Sequence, residues 1–179
     1  MNLLLSSDVA ITSYLKDLIP HTSLFDSVFG VLSLQGLPIL IWLILFAYFV
    51  YREHLDKTIK QFLLSFMLSF GITSLLVNII LKNLVMRVRP WIELNTTSGL
   101  CPSDFSFPSG HASGAFASAI IFAYFDRKRS WLYYSLAIGI SYSRIYLNCH
   151  YFLDVLIGAL IGAIIGFFVL KVLTWRRII

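Results

Sequence analysis

A chain of 179 residues in which 58% are hydrophobic and 13% are charged is too apolar for a water-soluble domain. Its formal net charge of +5 does not indicate nucleic-acid binding, because the basic residues stand in short clusters between apolar segments. The sequence therefore predicts an integral membrane protein of one membrane domain.

The first twenty residues predict an amphipathic helix and not a signal peptide, because Asp8 and Lys16 interrupt the apolar stretch and no basic residue precedes it. Apolar residues recur at near-helical spacing before Pro20, namely Leu5, Val9, Ile11, Leu15 and Leu18. This pattern favours a helix at the membrane interface, with a poorly ordered tail as the alternative. We divide the chain into an interfacial segment, residues 1–30, and a membrane domain, residues 31–179.

Five apolar segments approach the roughly 20 residues that a helix needs to cross a bilayer. The runs are continuous and lack the alternation of barrel strands, so an all-α membrane bundle is expected. The predicted spans are residues 32–51, 62–81, 111–125, 131–147 and 152–173. A polar loop, residues 82–109, separates the second span from the third.

Basic residues are unequally distributed between the two sides that five spans define. Nine of the fourteen fall on one side: Arg52, Lys57, Lys60, Arg127, Lys128, Arg129, Lys171, Arg176 and Arg177. By the positive-inside rule this side, with the C-terminus, is predicted to be cytoplasmic. The others are Lys16, Lys82, Arg87, Arg89 and Arg144. Four of these lie beside short polar stretches, which predicts an anion-binding site on the outer side.

The stretch FPSGHASG stands before the third span and predicts a phosphate-binding helix start. Ser109 is of a preferred N-cap type, and Gly110 lets a ligand approach the free N–H groups of the helix end. Arg89 and Arg144 can each bind phosphate oxygens through two hydrogen bonds, and Lys82 adds a compact charge. These cations repel one another, so an anion is expected between them, and no metal is needed.

Two histidines beside these groups predict covalent catalysis. His150 and Asp154 are four residues apart, so the carboxylate can orient one imidazole nitrogen and leave the other for phosphorus. His150 is therefore the predicted nucleophile, which forms a phosphohistidine, and His111 the group that protonates the leaving oxygen and later activates water. A transporter or channel that binds an anion with the same cations, without chemistry, is the alternative.

Three motifs carry a family resemblance: KNLVMRVRP fits K-x6-R-P, PSGH is complete, and SRIYLNCHYFLD fits S-R-x5-H-x3-D. The chain resembles the type 2 phosphatidic acid phosphatase (PAP2) superfamily of membrane lipid phosphatases, which shares its site with vanadium haloperoxidases. The resemblance covers roughly residues 60–170. It implies a six-helix core where five spans are counted, and the N-terminal amphipathic helix is the candidate for the sixth. It also implies a cofactor-free reaction through phosphohistidine on the periplasmic side of a bacterial inner membrane.

At matching positions the resemblance implies the same roles: His111 as the acid, His150 as the nucleophile and Asp154 as its partner. The residues it implies for phosphate binding are Lys82, Arg89, Ser109, Gly110 and Arg144. The third span offers only about fifteen residues, roughly 22 Å of helix, so the site is expected to be recessed. A recessed site favours a substrate whose phosphate is attached to a lipid. The family resemblance implies undecaprenyl pyrophosphate, phosphatidylglycerophosphate or lipid A 1-phosphate as that lipid, and the sequence does not choose among them. A haloperoxidase is disfavoured by the apolar composition.

Arg87 is additional to the motifs. It is expected either to contact a second phosphate or headgroup of the substrate or to anchor the chain at lipid headgroups. Glu93 and Asp104 share its loop and are its expected partners. Cys101 and Cys149 fall on the same predicted side, where they form either a disulfide or two free thiols.

Gly158, Gly162 and Gly166 are spaced four apart on one face of the fifth span. Small residues at this spacing let two helices approach closely. They are expected to pack within the bundle, with a dimer interface as the alternative.

Overall fold

The computed structural model of the protein describes residues 3–33, 37–52, 58–93 and 101–175. Within these ranges the chain is helical or in short connections, and no residue forms a strand. The predicted all-α class is therefore confirmed. Of the predicted cytoplasmic basic residues, Lys57, Arg176 and Arg177 lie outside the described residues.

The helices are α1 (Leu3–Asp17), α2 (Ser23–Ser33), α3 (Leu37–Arg52), α4 (Thr58–Ser74), α5 (Lys82–Val85), α6 (Pro90–Glu93), α7 (Gly110–Phe125), α8 (Ser130–Tyr146) and α9 (Phe152–Trp175). A π-helical segment, Leu75–Leu81, joins α4 to α5 without a break, and a turn of 3-10 helix, Arg127–Arg129, precedes α8. The five predicted segments correspond to α3, α4 with the π-helical segment, α7, α8 and α9. Helix α2 was not predicted as a separate element.

Two helical stretches of the described chain are long and apolar enough to cross a membrane, Lys60–Glu93 and Phe152–Trp175. Helices α2 and α7 and the Leu40–Phe49 part of α3 are apolar but shorter. The number of spans therefore stays a prediction, whereas the membrane character agrees with the outward side chains of α9. Ile164, Phe167 and Phe168 are each more than 60% exposed, as expected of a helix face against lipid.

Helix α7 lies at the centre of the bundle and packs most closely against α9. A Cβ atom at Gly158 would stand 2.6 Å from the carbonyl oxygen of Ser109, and one at Gly162 would overlap the carbonyl oxygen of Ser113. The absence of side chains at these positions lets the two helix backbones touch. The expectation that these glycines pack within the bundle is therefore confirmed. The same contact holds the start of α7 against the start of α9, where the Ser109 N–H donates to the carbonyl oxygen of Asp154 at 2.9 Å.

Helix α1 turns its polar residues toward the bundle. Asp8 and Thr12 are 1% and 4% exposed, whereas four residues of the predicted apolar face are more than 40% exposed, namely Leu5, Val9, Ile11 and Leu18. The fifth, Leu15, is partly buried against a small apolar cluster of the bundle. The helix is held on α8 by Tyr142, whose hydroxyl donates to the carbonyl oxygen of Leu15 at 2.7 Å. The predicted N-terminal helix is confirmed, and most of its apolar face is exposed on the outside of the bundle.

Candidate active site

Residues of all three motifs line one cavity of about 360 Å³ at the N-terminal end of α7. Those residues are Lys82, Arg89, Gly110, His111 and His150. The same cavity is also lined by the apolar residues Trp42, Phe70 and Ala115. The two histidines therefore face a common space, as the sequence predicts.

Two of the expected cations share one carboxylate inside this cavity. The ammonium group of Lys82 pairs with Asp104 Oδ2, and Arg89 Nη2 lies 2.6 Å from Asp104 Oδ1. The two basic side chains are buried, 6% and 0% exposed, whereas the Asp104 side chain is 49% exposed. Burial by itself raises the pKa of Asp104, but the hydrogen bond from Lys82 and the charges of both basic groups bring that pKa below its ordinary value. The sequence predicts an anion between the repelling cations, and in this structure the Asp104 carboxylate is the anion between Lys82 and Arg89.

Arg144 is fully buried, is not among the residues that line the cavity, and has only part of its hydrogen-bonding capacity satisfied. Its Nη1 donates to the carbonyl oxygen of Ser33 at 2.8 Å and to the Ser33 hydroxyl. Among the described residues, its Nε and Nη2 atoms have no hydrogen-bond partner. Its own carbonyl oxygen accepts hydrogen bonds from the N–H groups of Cys149 and His150. A buried guanidinium with unused donors is suited to an anionic ligand.

The start of α7 has the local structure that the PSGH stretch predicts. Ser109 is extended, with φ −71° and ψ 115°, and its side chain accepts a hydrogen bond from the Ala112 N–H at 3.4 Å. Its expected N-cap position is therefore confirmed. A Cβ atom at Gly110 would overlap the amide oxygen of Asn78, a residue of the π-helical segment that also lines the cavity. Any larger residue at this position would force the Asn78 side chain to move.

His150 presents a hydrogen-bond acceptor to the cavity. Its Nε2 lies 3.0 Å from Arg89 Nη1, and because arginine only donates, Nε2 is the nitrogen with the free electron pair. The proton then resides on Nδ1, which lies 3.3 Å from the hydroxyl of Ser106. Burial, followed by the charges of Arg89, Arg144 and Lys82, lowers the pKa of His150 well below its ordinary value. The imidazole is therefore neutral at pH 7, as a nucleophile must be.

The predicted contact between His150 and Asp154 is made through a third residue. Asp154 Oδ2 lies 3.6 Å from His150 Nδ1, within ion-pair range but longer than a hydrogen bond. The Ser106 hydroxyl stands between them and donates to Asp154 Oδ2. Sequence reasoning missed Ser106, since nothing in the sequence sets it apart from other loop serines.

Arg87 has different neighbours from those expected. Its Nη1 donates to Asp154 Oδ1 and its Nη2 to Asp8 Oδ2, each at 2.7 Å. The expected pairing with Glu93 or Asp104 is wrong, because Asp104 turns toward the other cations and Glu93 accepts from the hydroxyl of Tyr151. Arg87 does not line the cavity, so the geometry does not direct it toward a second phosphate.

Cys101 and Cys149 form a disulfide, with their Cα atoms 5.3 Å apart. Of the two alternatives for these thiols, the disulfide is therefore the one observed. The bond joins the loop that carries Asp104 to the residue before His150. Two segments that are far apart in the sequence are thereby tied together at the rim of the cavity.

Comparison with known proteins agrees with the motifs. Residues 62–178 match the PAP2 superfamily model, and the chain belongs to this superfamily. Undecaprenyl-diphosphatase BcrC of Bacillus subtilis (strain 168) is 34% identical over 99 residues, which cover 54% of this chain and 51% of that protein. A lipid A 4'-phosphatase of Bacteroides thetaiotaomicron is 30% identical over 152 residues, covering 76% of this chain and 67% of that protein.

A solved structure has the same fold. The crystal structure of a transmembrane PAP2 type phosphatidylglycerolphosphate phosphatase from Bacillus subtilis matches with a TM-score of 0.71 at 27% identity. The match covers 96% of this chain and 86% of that chain. The chain spans about half the length of BcrC, the first of the relatives named above.

Proposed function

We propose that the protein is a membrane lipid phosphatase that removes a terminal phosphate from a lipid-linked phosphate or pyrophosphate through a phosphohistidine. The observation that carries this proposal is the shared cavity, in which two histidines and two buried cations surround one space. Membership of the PAP2 superfamily supports the same chemistry.

Phosphate binding replaces one anion with another. The substrate phosphate displaces the Asp104 carboxylate from Lys82 and Arg89. The two buried cations thus always have an anionic partner, first the carboxylate and then the phosphate. The free donors of Arg144 and the backbone N–H groups at the start of α7 supply further hydrogen bonds. These groups neutralise the charge that the phosphoryl group carries in the transition state.

The two histidines then divide the reaction between them. The electron pair of His150 Nε2 attacks phosphorus while the bond to the leaving oxygen breaks, and His111 protonates that oxygen. The resulting imidazolium keeps its Nδ1 proton, which Ser106 and Asp154 stabilise. His111 next takes a proton from water, the hydroxide attacks phosphorus, and the bond to Nε2 breaks to release phosphate.

The lining of the cavity favours a lipid substrate. Besides the histidines and cations it includes Trp42, Phe70 and Ala115, whose apolar side chains suit the hydrocarbon part of a lipid. Proteins named for three lipid substrates resemble this chain, and they motivate the panel below: undecaprenyl pyrophosphate, phosphatidylglycerophosphate and lipid A phosphate.

We further propose that the protein lies in a bacterial cytoplasmic membrane, with the cavity facing the outside and the C-terminus in the cytoplasm. Helices α7 and α9 both begin at the cavity, so Arg127, Lys128 and Lys171 fall toward the opposite side of the bundle. Basic residues favour the cytoplasmic side. The disulfide at the cavity rim supports an oxidising compartment on the other side.

The test is phosphate release by detergent-purified protein from the three lipid phosphates, assayed side by side without divalent metal. Release by the wild-type protein and its loss in His150→Ala are expected. His21→Ala, which changes an exposed histidine outside the cavity, is the matched control and should keep full activity. Retained release in His150→Ala would refute the nucleophile. Anion flux in vesicles without phosphate release would favour transport.

A further inference from the structure

A buried acid of α1 reaches toward the predicted catalytic residues. The side chain of Asp8 is 0% exposed. Its Oδ1 accepts from the Leu153 N–H at 2.9 Å, and its Oδ2 accepts from Arg87 Nη2 at 2.7 Å. Asp8 therefore caps the first turn of α9 and at the same time holds a guanidinium.

From Arg87 the contacts continue without interruption to His150. Arg87 Nη1 donates to Asp154 Oδ1 at 2.7 Å, and Asp154 Oδ2 accepts from the Ser106 hydroxyl. That hydroxyl lies 3.3 Å from His150 Nδ1. The guanidinium also lies 3.9 Å over the ring of Tyr151, which limits its freedom to turn. Each side chain in this series of contacts orients the next one.

Capping alone does not account for a charged side chain at this position. One turn further along α1, Thr12 caps the same helix end with a neutral oxygen, which accepts from the Phe152 N–H at 2.9 Å. A buried carboxylate is costly to desolvate unless it is paired. Asp8 recovers this cost through Arg87 as well as through the Leu153 N–H, so its charge serves the guanidinium in addition to the helix end.

We propose that Asp8 and Arg87 are positioning residues for the nucleophile. They act through Asp154 and Ser106 to hold the proton of His150 on Nδ1 and to direct Nε2 at phosphorus. Helix α1, outside the three motifs, is thus part of the catalytic apparatus, and Arg87 serves the enzyme and not the substrate. This inference rests on the proposed function, since the orientation of Nε2 matters only if His150 attacks phosphorus.

The experiment measures kcat, KM, the inhibition constant of inorganic phosphate and the melting temperature of purified Asp8→Asn. Because phosphate is bound by other residues, KM and the inhibition constant should stay unchanged. The kcat should fall by about 10- to 100-fold, by analogy with the loss of a residue that orients a metal-bound histidine. An unchanged kcat would overturn the proposal.

Two variants on the same helix separate positioning from stability. Thr12→Val removes a cap of α9 but leaves the contacts from Asp8 to His150 in place, so it should lower the melting temperature and keep kcat per folded molecule. Asp17→Asn changes an exposed acid and should alter neither quantity. A loss of kcat in Thr12→Val equal to that in Asp8→Asn would show a general structural effect and overturn the proposal.

A double-variant cycle provides the second readout. In an Asp154→Asn background, Asp8→Asn should cause no further loss of kcat, because the link to His150 is already broken. The same fold-loss in both backgrounds would overturn the proposal. If Asp8→Asn does not fold, Arg87→Lys takes its place. Its ammonium keeps the charge but not the two-pronged contact, so kcat should fall with phosphate inhibition unchanged, and a wild-type kcat would overturn the proposal.

The variants also distinguish a failure of the positioning role of Asp8 from a failure of the proposed phosphatase function. An inactive wild type, or full activity in His150→Ala, would overturn the phosphohistidine mechanism and this inference with it. An active wild type, an inactive His150→Ala and a fully active Asp8→Asn would overturn the role of α1 alone.

Discussion

Replacing Asp104 with asparagine is expected to strengthen phosphate binding, because the aspartate pairs with the two cations to which the proposed function assigns the substrate phosphate. Its carboxylate pairs with Lys82 and with Arg89. The substitution keeps the shape of the side chain. The bonds from Arg89 to the backbone carbonyls of Asp104 and Phe105 also stay, so the cations should keep their places.

The magnitude follows from the exposure of the carboxylate. A fully buried hydrogen bond to a charged group contributes roughly 1.5–3 kcal/mol, whereas an exposed ion pair contributes about 0–1 kcal/mol. The Asp104 side chain is 49% exposed, so each pair is taken near the lower range and the two together at about 1–2 kcal/mol. The inhibition constant of inorganic phosphate should therefore fall by about 5- to 30-fold.

The assay is competitive inhibition of lipid-phosphate hydrolysis by inorganic phosphate, at constant ionic strength. Asp17→Asn removes the same charge from an exposed position on α1 and should leave the inhibition constant unchanged. An unchanged or weaker inhibition of Asp104→Asn would refute the reasoning, because the carboxylate would then not compete with phosphate.

Three further predictions concern the nucleophile and the helix packing. The pKa of His150 is lowered from its ordinary value of 6.5, and in the proposed mechanism the neutral imidazole attacks, so kcat/KM should stay high until the pH falls clearly below 6.5. An acid limb centred at or above 6.5 would contradict this. Ser106→Ala leaves His150 Nδ1 without its acceptor and should lower kcat by about 10- to 100-fold with KM unchanged. A wild-type kcat would contradict a role for the contact from His150 through Ser106 to Asp154. Gly162→Ala should lower stability by about 1–3 kcal/mol or more, because its Cβ would overlap the backbone of Ser113. Gly71→Ala is the control, because the space around Gly71 is open, and it should leave the melting temperature unchanged. Equal melting temperatures for the two glycine variants would refute the packing argument.

Local features of the sequence were sufficient to predict most of the framework. Continuous apolar runs predicted the positions of α3, α4, α7, α8 and α9, because a helix in an apolar setting satisfies its backbone from its own residues. Ser109 before a run of small residues predicted the start of α7. The three motifs also contain five of the residues that line the cavity, Lys82, Arg89, Gly110, His111 and His150, whereas Ser109, Arg144 and Asp154 are not part of its lining. All of these signals act over a few residues, so they can be read along the chain.

The electrostatic arrangement of the site depended on the tertiary structure. Arg87 meets Asp8, which is 79 positions away, and Ser106 meets Asp154, which is 48 positions away. Asp104 and Glu93 looked equally suitable as partners for Arg87, because charge alone does not say which way a loop turns. The packing of α7 on α9 and of α1 on α9 decides those distances. A buried charge then takes whichever opposite charge the packing brings within reach, since leaving it unpaired costs several kcal/mol.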